Sequence, residues 1–106
     1  MIEQGALSSL VAVLMILISM IINYTSRFRR EYKKLPEHIK VLLKSQEQLF
    51  RQNIYHESLS THKLKGRLSG FLAFSIDKKF RVMFTFYGEE VDFVSVGDHS
   101  IYDRFL

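Results

Sequence analysis

Four histidines, His38, His56, His62 and His99, are the residues of this 106-residue chain best suited to moving protons near neutral pH. Two of them have informative neighbours. The stretch "THKLKGRLSGFLAFSI" (61–76) sets His62 beside Lys63, Lys65 and Arg67 immediately before an apolar run, and "VGDHSIY" (96–102) sets His99 three positions ahead of Tyr102. Arg81 lies inside "FRVMF", where alternation places it opposite Phe80, Val82 and Phe84, so its charge needs a wet concave surface or a phosphate. Histidine with clustered cations suits metal-free cleavage of RNA. That reaction needs a base for the 2′-hydroxyl proton, an acid for the departing 5′-oxygen, and cations where charge develops around phosphorus. The same charges also read as an ordinary solvated or phosphate-contacting face.

Other chemistries find less support. There is no cysteine, no HxH or HxxxH pair, and no third or fourth converging ligand, so neither a zinc site nor any other metal or cofactor is expected. No nucleophile elbow, phosphate-cradling glycine loop or spaced carboxylate pair occurs. His38 sits just inside a helical pattern and reads as a surface residue, while His56 lies in a connecting loop.

Charge is distributed unevenly. Residues 1–26 hold only Glu3, residues 27–67 hold eleven Lys/Arg against four Glu, and residues 68–106 are slightly acidic. Such a basic half attracts phosphates, acidic membrane surfaces or an acidic protein partner. A chain of this length, 47% hydrophobic with nine Phe, can bury one modest core.

The elements that must position these residues follow from periodicity. Met20 to Thr25 reads as a β-branched and aromatic first strand. Ser26 is the expected N-cap of a helix carrying Phe28, Tyr32 and Leu35 on one side, and Pro36 ends it. Ile39, Leu42, Leu43, Leu49 and Phe50 keep the 3.6-residue period of a second helix that fades near Asn53. Residues 54–66 read as a loop. Alternation then predicts a strand with Leu68, Gly70, Leu72, Phe74 and Ile76 on one face, a turn at Asp77–Lys79, and a strand with Phe80, Val82, Phe84 and Phe86 inward and Arg81, Met83, Thr85 and Tyr87 outward. A turn at Gly88–Glu90 leads to a third strand, Val91 to Val96. The predicted fold is α+β: an N-terminal strand, two helices, then a three-stranded antiparallel meander with one apolar face under the helices.

Ahead of this domain, Ala6 to Ile22 runs 17 residues without a charge, about 25 Å of helix and the short limit for a membrane span. The basic cluster follows it, which would keep the rest of the chain on the cytoplasmic side. If Ile21 to Thr25 is a strand, too little is left to cross a bilayer. Three readings therefore stand for residues 1–19: an extension upstream of a true start at Met20, an inner-membrane anchor, or an extra helix. Residues 20–106 form the domain.

The segments "YTSRFRREYKKLPEHIK" (24–40), "HESLSTHKLKGRLSGFLAFSIDKKFRVMF" (56–84) and "VGDHSIY" (96–102) together resemble bacterial RelE/ParE-superfamily toxins of type II toxin–antitoxin systems, most nearly the RelE and YafQ-like mRNA interferases. The combination is what is specific: a loop H-x-L-x-G, a strand "FRVMF" and a terminal G-x-H-x-x-Y, in that order. The resemblance covers residues 20–106 and implies the same RelE-like fold.

It further implies a cytoplasmic, metal-independent endoribonuclease that cleaves mRNA on the ribosome and is neutralised by a cognate antitoxin. The family's loop histidine matches His62, its strand arginine Arg81, its late histidine His99, and its late aromatic Tyr102. Lys63, Lys65 and Arg67 match basic positions near the scissile phosphate. By this resemblance His62 and His99 form the proton-transfer pair, Arg81 and Lys65 meet the developing charge, and Tyr102 stacks on or orients the substrate. The adjacent ParE branch, whose members bind DNA gyrase without cutting RNA, is the alternative, and it does not need both histidines. On physical grounds the basic half suits an acidic, partly disordered antitoxin segment that folds on binding.

Overall fold

The computed structural model describes residues 20–104 and Leu10, and readings that fall on residues 1–9 and 11–19 lie outside the described residues. The described chain comprises strand β1 (Ile22–Tyr24), helices α1 (Ser26–Lys33) and α2 (Glu37–Gln52), strands β2 (His62–Lys63), β3 (Leu72–Ser75), β4 (Arg81–Tyr87) and β5 (Glu90–Gly97), and a short helix α3 (Ser100–Arg104). The strands form one sheet in the order β1-β5-β4-β3-β2. β2 to β5 are antiparallel, and β1 closes the other edge by running parallel to β5, with Ile22 opposite Val91. The expected α+β architecture is therefore present, with one further strand, β2, and one further helix, α3. Because Ile22 is in β1, an apolar helix cannot continue from Ala6 to Ile22. Among the described residues no helix is long and apolar enough to cross a membrane.

Local chemistry explains the helix boundaries. Thr25, rather than Ser26, is the N-cap of α1: its backbone is extended and its hydroxyl accepts from Phe28 N–H at 3.1 Å, while Ser26 is already helical. Pro36 precedes the first turn of α2, where its missing N–H costs nothing, and α2 ends at Asn53 as its pattern predicts. Phe28 and Leu35, then Ile39, Leu43 and Phe50, turn inward, whereas Tyr32 and Leu42, expected with them, are exposed. Phe50 is the hub, with its ring centroid 5.0 Å from Phe74, 4.9 Å from Phe84 and 5.3 Å from Phe93. These contacts cover the helix side of the sheet with aromatic area.

The expectation of a single apolar face needs correction. Leu68 and Gly70 are outside β3: Leu68 closes a 3-10 turn (Gly66–Leu68), and Gly70 has a φ of +98°. Leu68 then packs with Leu64, Phe71, Met83, Val94, Ile101 and Tyr102 in a second cluster, whereas Leu72, Phe74 and Val82 join the main core. Met83, expected outward, is fully buried there, and Phe86, expected inward, is exposed. The cause is α3, which folds back over the sheet face opposite α1 and α2 and gives it a small core of its own. A bulge in β5 contributes: Phe84 pairs with Phe93 but Met83 pairs with Ser95, so Val94 is the extra residue and joins the second cluster.

Candidate active site

Register assigns the predicted chemical residues to faces. His62 pairs with Ala73, Ala73 with Met83, and Arg81 with Ser75 and Gly97. Direct cross-strand partners share a face, and so do residues two apart on one strand, so His62, Ser75, Met83 and Arg81 are all on the α3 side. Tyr102 packs in that face's cluster with Met83, and the His99 and Tyr102 rings meet edge to face with centroids 6.1 Å apart. Arg81, His99 and Tyr102 thus gather where β4 and β5 reach α3. His62 shares their face on β2, two strand spacings or about 10 Å from β4 and three or about 14 Å from β5. Lys63 pairs with Leu72 and lies on the opposite side from His62; Lys65 and Arg67 are exposed on the loop between β2 and β3.

The His62 ring is held in one tautomer. Its Nδ1 lies 3.0 Å from the Ser60 carbonyl oxygen, which can only accept, so Nδ1–H donates and in the neutral ring the lone pair is on Nε2 of an exposed side chain. The loop that carries it is anchored: Leu59 is fully buried, and the Gln46 side chain donates to the Ser58 and Ser75 carbonyls at 3.2 and 3.0 Å. Ser60, with φ of +49°, turns the chain just before His62. His56 has a different task. Its Nδ1 accepts from Ser58 N–H at 3.2 Å and caps the Glu57–Leu59 turn, so this ring is structural. His38 is exposed at the start of α2, as expected.

Arg81 begins β4 and donates from Nη2 to the Lys78 carbonyl at 3.4 Å. Among the described residues only two buried side-chain polar atoms lack a hydrogen-bond partner, Arg81 Nε and Tyr102 OH. Buried polar groups are nearly always satisfied within the protein, so these two orphans on the α3 side of the sheet suit groups kept for a ligand.

The support beneath α3 was not read from the sequence. Asp98 Oδ1 accepts from Ser100 N–H at 2.9 Å, and the Ser100 hydroxyl and N–H together hold the Asp98 carboxyl below the usual carboxylate range. At the far end of α3, Arg104 donates to Glu31 at 2.9 Å while Glu31 also accepts from Ser95 Oγ at 2.6 Å, tying the helix to α1. Gly97 makes the approach possible, since a Cβ there would lie 2.7 Å from Ile101 Cγ2. The Asp98-x-Ser100 spacing is a readable capping signal; the Glu31–Arg104 pair, 73 residues apart, has none. Among the described residues no three His, Asp or Glu side chains converge as a metal site would require.

Known structures share this fold. YafQ from E. coli superposes with a TM-score of 0.67 at 15% identity, covering 78% of this chain and 97% of YafQ. RelE in the RelB-RelE antitoxin-toxin complex from Methanococcus jannaschii gives 0.63 at 23%, covering 79% and 99%. The YoeB-YefM complex from Staphylococcus aureus gives 0.63 at 17%, covering 76% and 97%. The chain has the RelE/ParE-like fold. No family model and no curated protein matches the sequence. This RelE-like fold is thus reached at low identity through alternation, helix stripes and turns, which many sequences can satisfy.

Proposed function

We propose that the chain is the toxin of a type II toxin–antitoxin pair and acts as a metal-independent endoribonuclease on mRNA at the ribosome. The observation that carries this reading is the pair of unpartnered buried polar atoms, Arg81 Nε and Tyr102 OH, on the same sheet face as an exposed histidine whose Nδ1 is held by a backbone carbonyl. That the fold is shared with RelE and YafQ, solved in complexes with RelB and DinJ, supports the toxin role and a cognate antitoxin as partner. The domain that acts is residues 20–106.

In this mechanism His62 Nε2 takes the 2′-hydroxyl proton as O2′ attacks phosphorus, and the new O2′–P bond forms as the P–O5′ bond breaks. His99 returns a proton to the departing 5′-oxygen, leaving a cyclic phosphate on one fragment and a hydroxyl on the other. The Arg81 guanidinium faces the equatorial oxygens while their charge grows, a role that suits its fixed fork of donors. Lys65 and Arg67 hold flanking phosphates, with Lys63 reaching round the sheet edge. Tyr102 orients the substrate by stacking or through its hydroxyl.

Primer extension on translated mRNA after induction should show new ends within codons, absent for Arg81→Ala and His99→Ala proteins that still bind antitoxin. Growth arrest with intact transcripts and inhibited gyrase would overturn the nuclease reading.

A further inference from the structure

A cavity of about 630 Å³ opens at the C-terminal end of α1, away from the proposed catalytic groups but sharing backbone with them. Phe80, the neighbour of Arg81, and Gly97–Asp98, which lead into His99, form one wall, and Arg27, Arg30, Lys33, Lys34 and Arg104 supply its cations. We infer that this cavity is a second phosphate-binding site, taking the backbone of single-stranded RNA as it continues from the cleavage site. The inference rests on the nuclease reading above.

Three observations carry it. Five cations line the cavity against two carboxylates, Glu31 and Asp98, and Glu31 is already committed to Arg104 and Ser95. The side chains of Arg30, Lys33 and Lys34 make no hydrogen bond or ion pair among the described residues, and all three are exposed. Along α1, Arg27, Arg30 and Lys33 follow at steps of three residues, about 4.5 Å of axial rise each, a row rather than a point. Phe80 adds a half-buried aromatic ring with Lys79 Nζ 5.5 Å from its centroid. Cations with an aromatic platform are what sequence-tolerant single-strand binding uses. An acidic peptide is the poorer occupant, because the adjoining groove between α1 and α2, floored by Tyr24, Phe28, Tyr32 and Leu43, offers it more apolar area.

The test uses uncleavable 2′-O-methyl RNA, so that binding is read apart from catalysis. Fluorescence anisotropy would compare oligonucleotides of about 4 and about 12 nucleotides, the lower and middle range of single-strand site sizes. With Arg30→Gln/Lys34→Gln the longer RNA should bind roughly tenfold more weakly at 0.15 M salt, and the slope of log K against log salt should flatten by about 1.4, the value for two lost phosphate contacts. The shorter RNA should be unaffected. Arg29→Gln/Lys44→Gln, in the adjoining groove, should bind both like the parent. An unchanged slope, or equal losses from both variants, overturns the inference, as does a cavity variant that loses only polyglutamate binding. A protein that binds RNA in this way but never cuts the unmodified strand would sink the nuclease reading alone.

Discussion

His62 Nδ1 lies 3.0 Å from the Ser60 carbonyl oxygen, two residues back along the same loop. This contact decides which nitrogen of the ring is available to a substrate. His62→Ala should therefore slow cleavage of a translated message by about 10²- to 10⁴-fold, the usual worth of a positioned general base, without changing the circular dichroism spectrum. Single-turnover cleavage on programmed ribosomes measures it, and a His62→Ala protein at parental rate would remove His62 from the reaction. His56→Ala should instead leave the rate near parental, because that ring's Nδ1 caps a turn.

Arg81 tests whether geometry or charge alone is required. A lysine keeps the charge but cannot present a guanidinium fork or an Nε–H. Arg81→Lys and Arg81→Ala should lose activity to similar extents, of order 10² to 10³, as expected for a donor aimed at developing charge. Full rescue by lysine, measured in the same single-turnover assay, would reduce Arg81 to a point charge.

Gly97 controls the seat of α3. A Cβ at this position would stand 2.7 Å from Ile101 Cγ2, so Gly97→Ala must push α3 outward or distort β5. Overpacking of this kind costs about 1 to 3 kcal/mol. Urea denaturation should register that loss, and cleavage should fall further than stability explains, because His99 and Tyr102 travel with α3. Ile101→Leu, which lacks the Cγ2 branch, should recover part of both in the Gly97→Ala background.

Tyr24 makes alkaline stability predictable. Burial, with the hydrogen bond to Glu47 behind it, pushes its phenol up to about 12 from an ordinary value of 10.0. The folded state therefore keeps a proton that the unfolded chain loses above pH 10, so this contribution is complete below pH 10 and disappears as pH rises to about 12. Melting temperature should decline across that interval, and Tyr24→Phe should flatten the decline. An equal decline in the variant would show that other groups cause it.

The sequence by itself determined the elements whose signals are local. Alternation around Phe74, Val82 and Phe84 marked the meander, the Ile39, Leu43, Phe50 stripe marked the long helix, and Pro36 marked its start. The residues with chemistry, His62, Arg81, His99 and Tyr102, were visible as types and motifs for the same reason. Tertiary structure decided which of them share a face. Only pairing across the chain sets β1 beside β5, adds the two-residue β2 that carries His62, and places Val94 on the α3 side through a bulge. α3 is five residues long, too short for a helical period to show, and it is held by Asp98, by a gap at Gly97 and by Glu31 reached from α1. Periodicity reports a residue's neighbours three or four places away, whereas the orphaned Arg81 Nε and Tyr102 OH depend on which strands and helices the whole core brings together.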